Sequence, residues 1–192
     1  MLSRLDVIND MITSTGAVAL NTEQARHPLY QKAERKLTRV NSAVQAMGLY
    51  FNTETRDLLA DTTGEIVVPQ NCLRADPVDR KFNLTLRGRR MWDLDKATYN
   101  IGGTRRLKMS FELPFPEVPP VCQEFIAAKA VYEFYRDEDG ADPKLREYKS
   151  SMAQAWQMLW REHTRNRQVN IYDNPNNMVN RLRTNPSAHS RR

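Results

Sequence analysis

Apolar residues recur at helical spacing in four stretches of this chain and lose that spacing in the middle. Leu2, Leu5, Ile8, Met11 and Ile12 form the first stripe, with Ser3 and Asp6 placed as a capping pair and Gly16 as the stop. Leu29, Ala33, Leu37, Val40, Val44 and Met47 keep one face of a longer helix apolar until Gly48, while Lys32, Arg35, Lys36 and Arg39 crowd its other faces. Cys122, Ile126, Ala130 and Phe134 repeat every four residues beside a second row of Phe125, Ala128, Tyr132 and Tyr135. Two rows predict burial on more than one side. This helix is expected to stop within residues 136–140, at an acidic turn ending in glycine, and the next to begin at Asp142-Pro143, a capping acid before a first-turn proline. Leu145, Tyr148, Met152, Ala155, Trp156, Leu159 and His163 then share one face, so two antiparallel helices joined by a tight turn are predicted.

Between residues 50 and 112 the helical period fades and short β-prone runs stand between turn signals. The candidate strands are 65–68, Leu73 with its neighbours, 82–86, 90–93 and 107–111. Residues 87–89 and 101–104 read as hairpin tips, since Gly88 and the pair Gly102-Gly103 reach positive φ without steric cost. A phosphate-cradling loop at Gly102-Gly103 would need a following Lys-Ser/Thr and a strand-to-helix context, and neither is present. Prolines 114, 116, 119 and 120 remove backbone donors and predict a stiff, extended connector. Past Trp160 the chain is polar and arginine-rich, and its 168–172 run alternates polar and apolar residues. These readings give an α+β fold: a four-helix bundle (1–49 plus 119–164), an inserted small antiparallel β domain with its Pro-rich connector (50–118), and an extended basic C-terminal tail (165–192).

A chain of 192 residues buries about 70% of its unfolded surface without a covalent staple. Cys72 and Cys122 lack metal-ligand spacing and are expected as free, buried thiols. No window approaches the roughly 20 apolar residues of a membrane span, and Asp6, Asn9 and Asp10 stand where a signal peptide would be apolar, so a soluble protein made in a cytoplasm is expected. The formal net charge of +6 suggests an acidic partner, and a nucleic-acid-binding module using the basic tail is one reading. His27, His163 and His189 form no ligand motif, and His163 is placed to interact with a helix dipole. Neither Ser-x-x-Lys nor Gly-x-Ser-x-Gly occurs. Carboxylate pairs at Asp57/Asp61, Asp76/Asp79 and Asp93/Asp95, with the Asp137–Asp139 cluster, leave a polysaccharide hydrolase open but are ordinary turn and surface residues. No catalytic, cofactor or metal residue is nominated.

Several blocks, in order, resemble one family. They are residues 5–16 (LDVINDMITSTG), 48–52 (GLYFN), 64–69 (GEIVVP), the 87–93 hairpin (RGRRMWD) and the helix from Pro119 to Phe134. Together they resemble the tail tubular protein A family of short-tailed phages over residues 2–160, although Leu49 stands where that family often has Trp. The resemblance implies a non-enzymatic head-to-tail adaptor without a cofactor. It implies a ring, usually dodecameric, that joins the portal protein to a tail nozzle of the tail tubular protein B type and encloses the DNA conduit. Candidate ring or nozzle contacts are Lys32, Arg35, Arg39, Arg89, Arg90, Gly102 and Gly103. Candidate portal or neighbour contacts are Arg165, Arg167, Val169, Ile171, Tyr172, Arg181 and Arg183. Twelve copies would carry roughly +70, which in the lumen would grip DNA, so these cations are expected to face protein partners or the outside while DNA passes without specific binding.

Overall fold

A computed structural model describes residues 2–22, 27–139 and 143–167. Four helices form where the apolar stripes lie: α1 (Arg4–Ser14), α2 (Tyr30–Gln45), α3 (Pro120–Asp139) and α4 (Pro143–Asn166). Five strands fill the middle: β1 (Thr53–Leu59), β2 (Cys72–Pro77), β3 (Leu84–Arg87), β4 (Arg90–Asp93) and β5 (Thr104–Phe111). The mixed helix and antiparallel-strand composition is as expected.

The Ser3 hydroxyl accepts the Asp6 amide while the Asp6 carboxylate accepts the Ser3 amide, so the capping box at the start of α1 is closed. Helix α3 is the hub of the helical unit: α1 and α2 pack on it and on each other, and α4 packs along it. The ring pairs Tyr135–Tyr148 and Phe125–Trp156, 5.0 and 5.1 Å apart, run in opposite chain directions and make α3 and α4 antiparallel. Val7, Ile8, Leu37, Val44, Ile126 and Phe134 lie at the centre of this core. Two expectations need correction. Met47 is 45% exposed, because α2 ends at Gln45 and the next residues turn away from the core face. Most of the α4 stripe is only half-buried, with Leu159 and His163 the buried members.

β5 is the middle strand of an antiparallel sheet ordered β1-β5-β2. Leu107, Met109 and Phe111 point from it into a second core with Ile66, Val68, Leu84 and Met91. Its alternate residues, Arg106, Lys108 and Ser110, take the opposite face. β3 and β4 form the predicted hairpin, with Gly88 at φ 62° in the turn. β1 was not predicted. As an edge strand it leaves Glu54, Thr55, Arg56 and Asp57 exposed, so it has no apolar alternation to read.

The expected strand over 65–68 makes only a bridge, Val67 to Arg90, because Gly64 at φ 81° and Pro69 leave too few residues between them for a ladder. The 101–104 segment turns as expected but is not a hairpin tip, since β4 and β5 belong to different sheets. Instead the Gly102 amide donates to the Gly64 carbonyl (3.0 Å) and the Gly103 carbonyl accepts the Ala60 amide (3.0 Å). The proline run is also not wholly extended: a 3₁₀ turn over Phe115–Glu117 buries Phe115 before Pro120 opens α3. Both cysteines are free thiols, but only Cys122 is buried as expected, which pushes it up to about 12; Cys72, at the edge of the sheet in β2, is half-buried.

Two buried amides stitch the helical and β units together. Gln45 donates through Nε2 to the Leu113 carbonyl (2.9 Å) and accepts the Leu113 amide at Oε1 (2.8 Å). Asn52 donates through Nδ2 to the carbonyls of Gln45 and Phe111 (both 2.8 Å) and accepts the Leu49 amide (2.9 Å). The Ser42 hydroxyl adds a bond to the Glu112 carboxylate. Each such bond contributes about 1 kcal/mol net, and more is lost when one partner is removed and the other stays buried.

Candidate functional site

The basic residues expected at ring or nozzle contacts fall into three groups. Lys32 pairs with Glu138 (3.2 Å), and the neighbouring Lys36 reaches Asp137 (2.6 Å) and Glu133 (3.8 Å), so part of the α2 cationic row is turned onto the acidic end of α3. Hydrogen bonds from Lys36 and Arg136 hold the Asp137 carboxyl below its ordinary range. Arg35 and Arg39 remain exposed on the same helix. At the β hairpin, Arg90 holds Glu65 in a forked contact (2.9 and 3.1 Å) and lies over the Tyr99 ring. Arg89 folds back to the Val68 carbonyl (3.3 Å). Gly102 and Gly103 sit just before β5, on the closed turn described above.

Of the residues expected to meet the portal or a neighbour, Arg165 pairs with Glu162 one turn earlier (3.3 Å) and Arg167 follows the end of α4. Val169, Ile171, Tyr172, Arg181 and Arg183 lie outside the described residues. The carboxylate pairs resolve into turn and ion-pair chemistry. Asp61 accepts two amides and the Thr63 hydroxyl, Asp93 accepts the amides of Asp95 and Lys96, and Asp76 pairs with Arg74. Among the described residues no cluster of three or more His, Cys, Asp or Glu could hold a metal ion, and no helix is long and apolar enough to cross a membrane.

Two concave places were not foreseen. A groove of about 310 Å³ opens where the end of α4 meets the outer face of the β1-β5-β2 sheet. Trp156 and Trp160 stack along it (5.5 Å, 27° between planes), and Lys108, Arg74 and Arg167 enter from the sheet and the helix end. His163 forms its inner wall, 4% exposed, with Nδ1 accepting the Tyr50 amide (3.1 Å). Burial first, then the charges of Arg167 and Lys108, lower its pKa. The expected interaction of His163 with the helix dipole is therefore qualified: the imidazole accepts the Tyr50 amide, and its surroundings disfavour the protonated form that a helix end would stabilise. The signal was partly in the sequence, since Trp156, Trp160, His163 and Arg167 recur at spacings of three and four. The sheet residues opposite them came from strand pairing that sequence periodicity did not register.

The second recess, about 400 Å³, lies between α1, α3 and α4 and carries Asp10, Glu124 and Tyr148. Burial, then the carboxylates of Asp6 and Glu124, raise the Asp10 carboxyl above its ordinary range.

A family model described as "Tube: Tail tubular protein" matches residues 5–169, which takes in both the helical and the β units. The chain is also 23% identical over 165 residues to tail tubular protein A of Klebsiella phage KP34, covering 86% of this chain and 89% of that one. The chain belongs to the tail tubular protein family and is a structural component of a phage tail.

Proposed function

We propose that the protein is the head-to-tail adaptor of a short-tailed phage: a ring, with twelve copies expected, that joins the portal to the tail nozzle around the DNA conduit. The observation that carries this reading is the family match running unbroken through both packed units. Two cores joined by buried amides hold a helical surface and a β-hairpin surface in fixed relation, as a joint between unlike partners requires. Ring closure needs a head-to-tail contact between different patches of neighbouring copies. Exposed Arg35 and Arg39 remain candidates for that contact, whereas Lys32 is already paired with Glu138. In this reading the basic C-terminal tail, residues 165–192, clamps the portal or a neighbour. Mass measurement of the full chain, alone and mixed with portal protein, tests the reading: a ring-sized species on the portal is expected, and a chain that stays solitary beside it rejects the reading. Truncation after Arg167, which spares buried His163, is expected to abolish portal attachment.

A second reading, a carboxylate-dependent glycan hydrolase, is favoured by the Asp10–Glu124 recess alone, where a raised carboxyl stands near another. It predicts release of reducing ends from bacterial polysaccharide that disappears in Asp10→Asn with the fold intact. Polysaccharide left whole by the wild-type chain rejects it.

A further inference from the structure

The groove under the end of α4 combines features that a surface facing only water would not retain. Trp160 is 50% exposed and Met47, which also lines the groove, 45%. Large exposed apolar side chains lining one groove are the informative exception among surface residues, and tryptophan with arginine is the composition of binding hot spots. Among the described residues neither Lys108 nor Arg167 has an ion-pair partner, and both lie near enough to His163 to disfavour its protonation. The remaining cation, Arg74, is neutralised by Asp76 at 2.6 Å. The groove thus presents two uncompensated positive charges beside a stacked indole pair.

We propose that this groove anchors a short acidic segment of a different protein, one that places a carboxylate between Lys108 and Arg167 and an aliphatic or aromatic side chain against Trp160. Size and charge select that occupant. A recess of about 310 Å³ accommodates a few side chains and excludes a duplex, and two free cations are too few for the phosphate contacts that hold DNA. The chain's own residues 168–192 contain four arginines and one acid, Asp173, so they match the groove poorly in charge. A second copy is the competing occupant, since exposed acids such as Asp57 and Glu147 carry no ion pair among the described residues, and the test below separates it through self-association.

The inference rests on the adaptor reading for the identity of the partner, but the groove can be tested without it. The full-length protein is titrated with a capped peptide of alternating glutamate and leucine, read by tryptophan fluorescence and by amide shifts. Two variants, Lys108→Glu and Trp160→Ala, change exposed side chains. Each is expected to weaken binding about tenfold or more with an unchanged melting temperature, and replacing the peptide's glutamates with glutamine is expected to do the same. Raised salt weakens the interaction further. The proposal is overturned if the peptide does not bind, or if both variants bind it as the wild type does. It is also overturned if the variants alter only self-association, or if a DNA duplex binds in the peptide's place and is lost on the same substitutions. A chain that joins the portal yet ignores the peptide overturns the groove alone; one that binds the peptide but joins nothing overturns the adaptor reading alone.

Discussion

Leu37, Ile126 and Phe134 in the helical core and Ile66, Met91 and Leu107 in the β core are all nearly inaccessible, but what holds each set in place differs. The helical residues are fixed by amphipathic stripes, and the ion pairs from Lys32 and Lys36 to α3 lie outside them. The β residues are fixed by individual turn groups: the Asp61 carboxylate gathering Thr63 and Glu65, the Asp93 carboxylate gathering Asp95 and Lys96, and glycines at positive φ. Arginines sit over aromatic rings at its surface, Arg87 over Trp92, Arg90 over Tyr99 and Arg105 over Phe82, each contact contributing about 0.5–1 kcal/mol. One unit therefore depends on apolar volume that many residues share. The other depends on single residues that few alternatives replace.

The largest effect is expected where shared volume is removed. Phe134→Ala should cost about 3–5 kcal/mol, read by denaturant unfolding. The helical far-UV signal and the fluorescence of Trp92, kept as the only tryptophan after Trp156→Phe and Trp160→Phe, should shift together. Coincidence is expected because Gln45 and Asn52 tie the units into one cooperative body. A Trp92 signal that stays in place while helicity falls would show two independent cores.

Asn52→Ala attacks that tie directly. It leaves the Leu49 amide and the Gln45 and Phe111 carbonyls without their side-chain partner. The loss should be roughly 3 kcal/mol, since a buried orphan costs about 1–3 kcal/mol. More telling than the size is the shape: the two signals should separate in this variant and not in Phe134→Ala.

The same contrast explains what the sequence disclosed. α1 to α4 were legible because Ile8, Leu37, Ile126 and Leu159 repeat at the helical period and Ser3, Gly48 and Pro143 punctuate it. β1 was not, because an edge strand reading Thr-Glu-Thr-Arg-Asp-Leu-Leu is recruited by backbone pairing to β5, which writes no apolar alternation. The groove was half legible for the same reason. Its helical wall follows a period, but Lys108 and Arg74 arrive through strand register, and Arg74 joins the face of Lys108 and Ser110 only once β2 and β5 have paired. His163 was visible as a position on a stripe, while its charge state depended on the Tyr50 amide, more than a hundred residues away in sequence.

Gly64 tests the β unit's reliance on single residues. Its φ is 81°, and a Cβ there would come within 2.2 Å of Asn100 Oδ1. Gly64→Ala should therefore cost more than Gly88→Ala, where φ is 62° but no atom lies within 4 Å. The backbone penalty of about 1–2 kcal/mol is common to both, so the difference in unfolding midpoint isolates the clash. Equal losses would mean that Asn100 moves aside freely and that the turn is less exacting than its geometry implies.

The smallest effect is the one that distinguishes a neutral His163 from a charged one. Its folded pKa lies below the unfolded value near 6.5, so the unfolded chain binds more protons in the window between the two. The stability contributed by the neutral imidazole is complete above about pH 6.5 and is lost as pH falls toward the folded value. Burial sets this window first, then the charges of Arg167 on its own helix end and Lys108 from the sheet; the Tyr50 amide on Nδ1 and the Trp160 ring 5.1 Å away are its other neighbours. His163→Gln keeps an acceptor for the Tyr50 amide and removes the titration. Unfolding midpoints measured from pH 7.5 down to pH 5 should fall less in this variant than in the wild type. A charged histidine stabilised by the helix end would give the opposite sign, with the wild type gaining on the variant as pH falls. That crossing would also add a positive charge beside Lys108 and Arg167 in the groove.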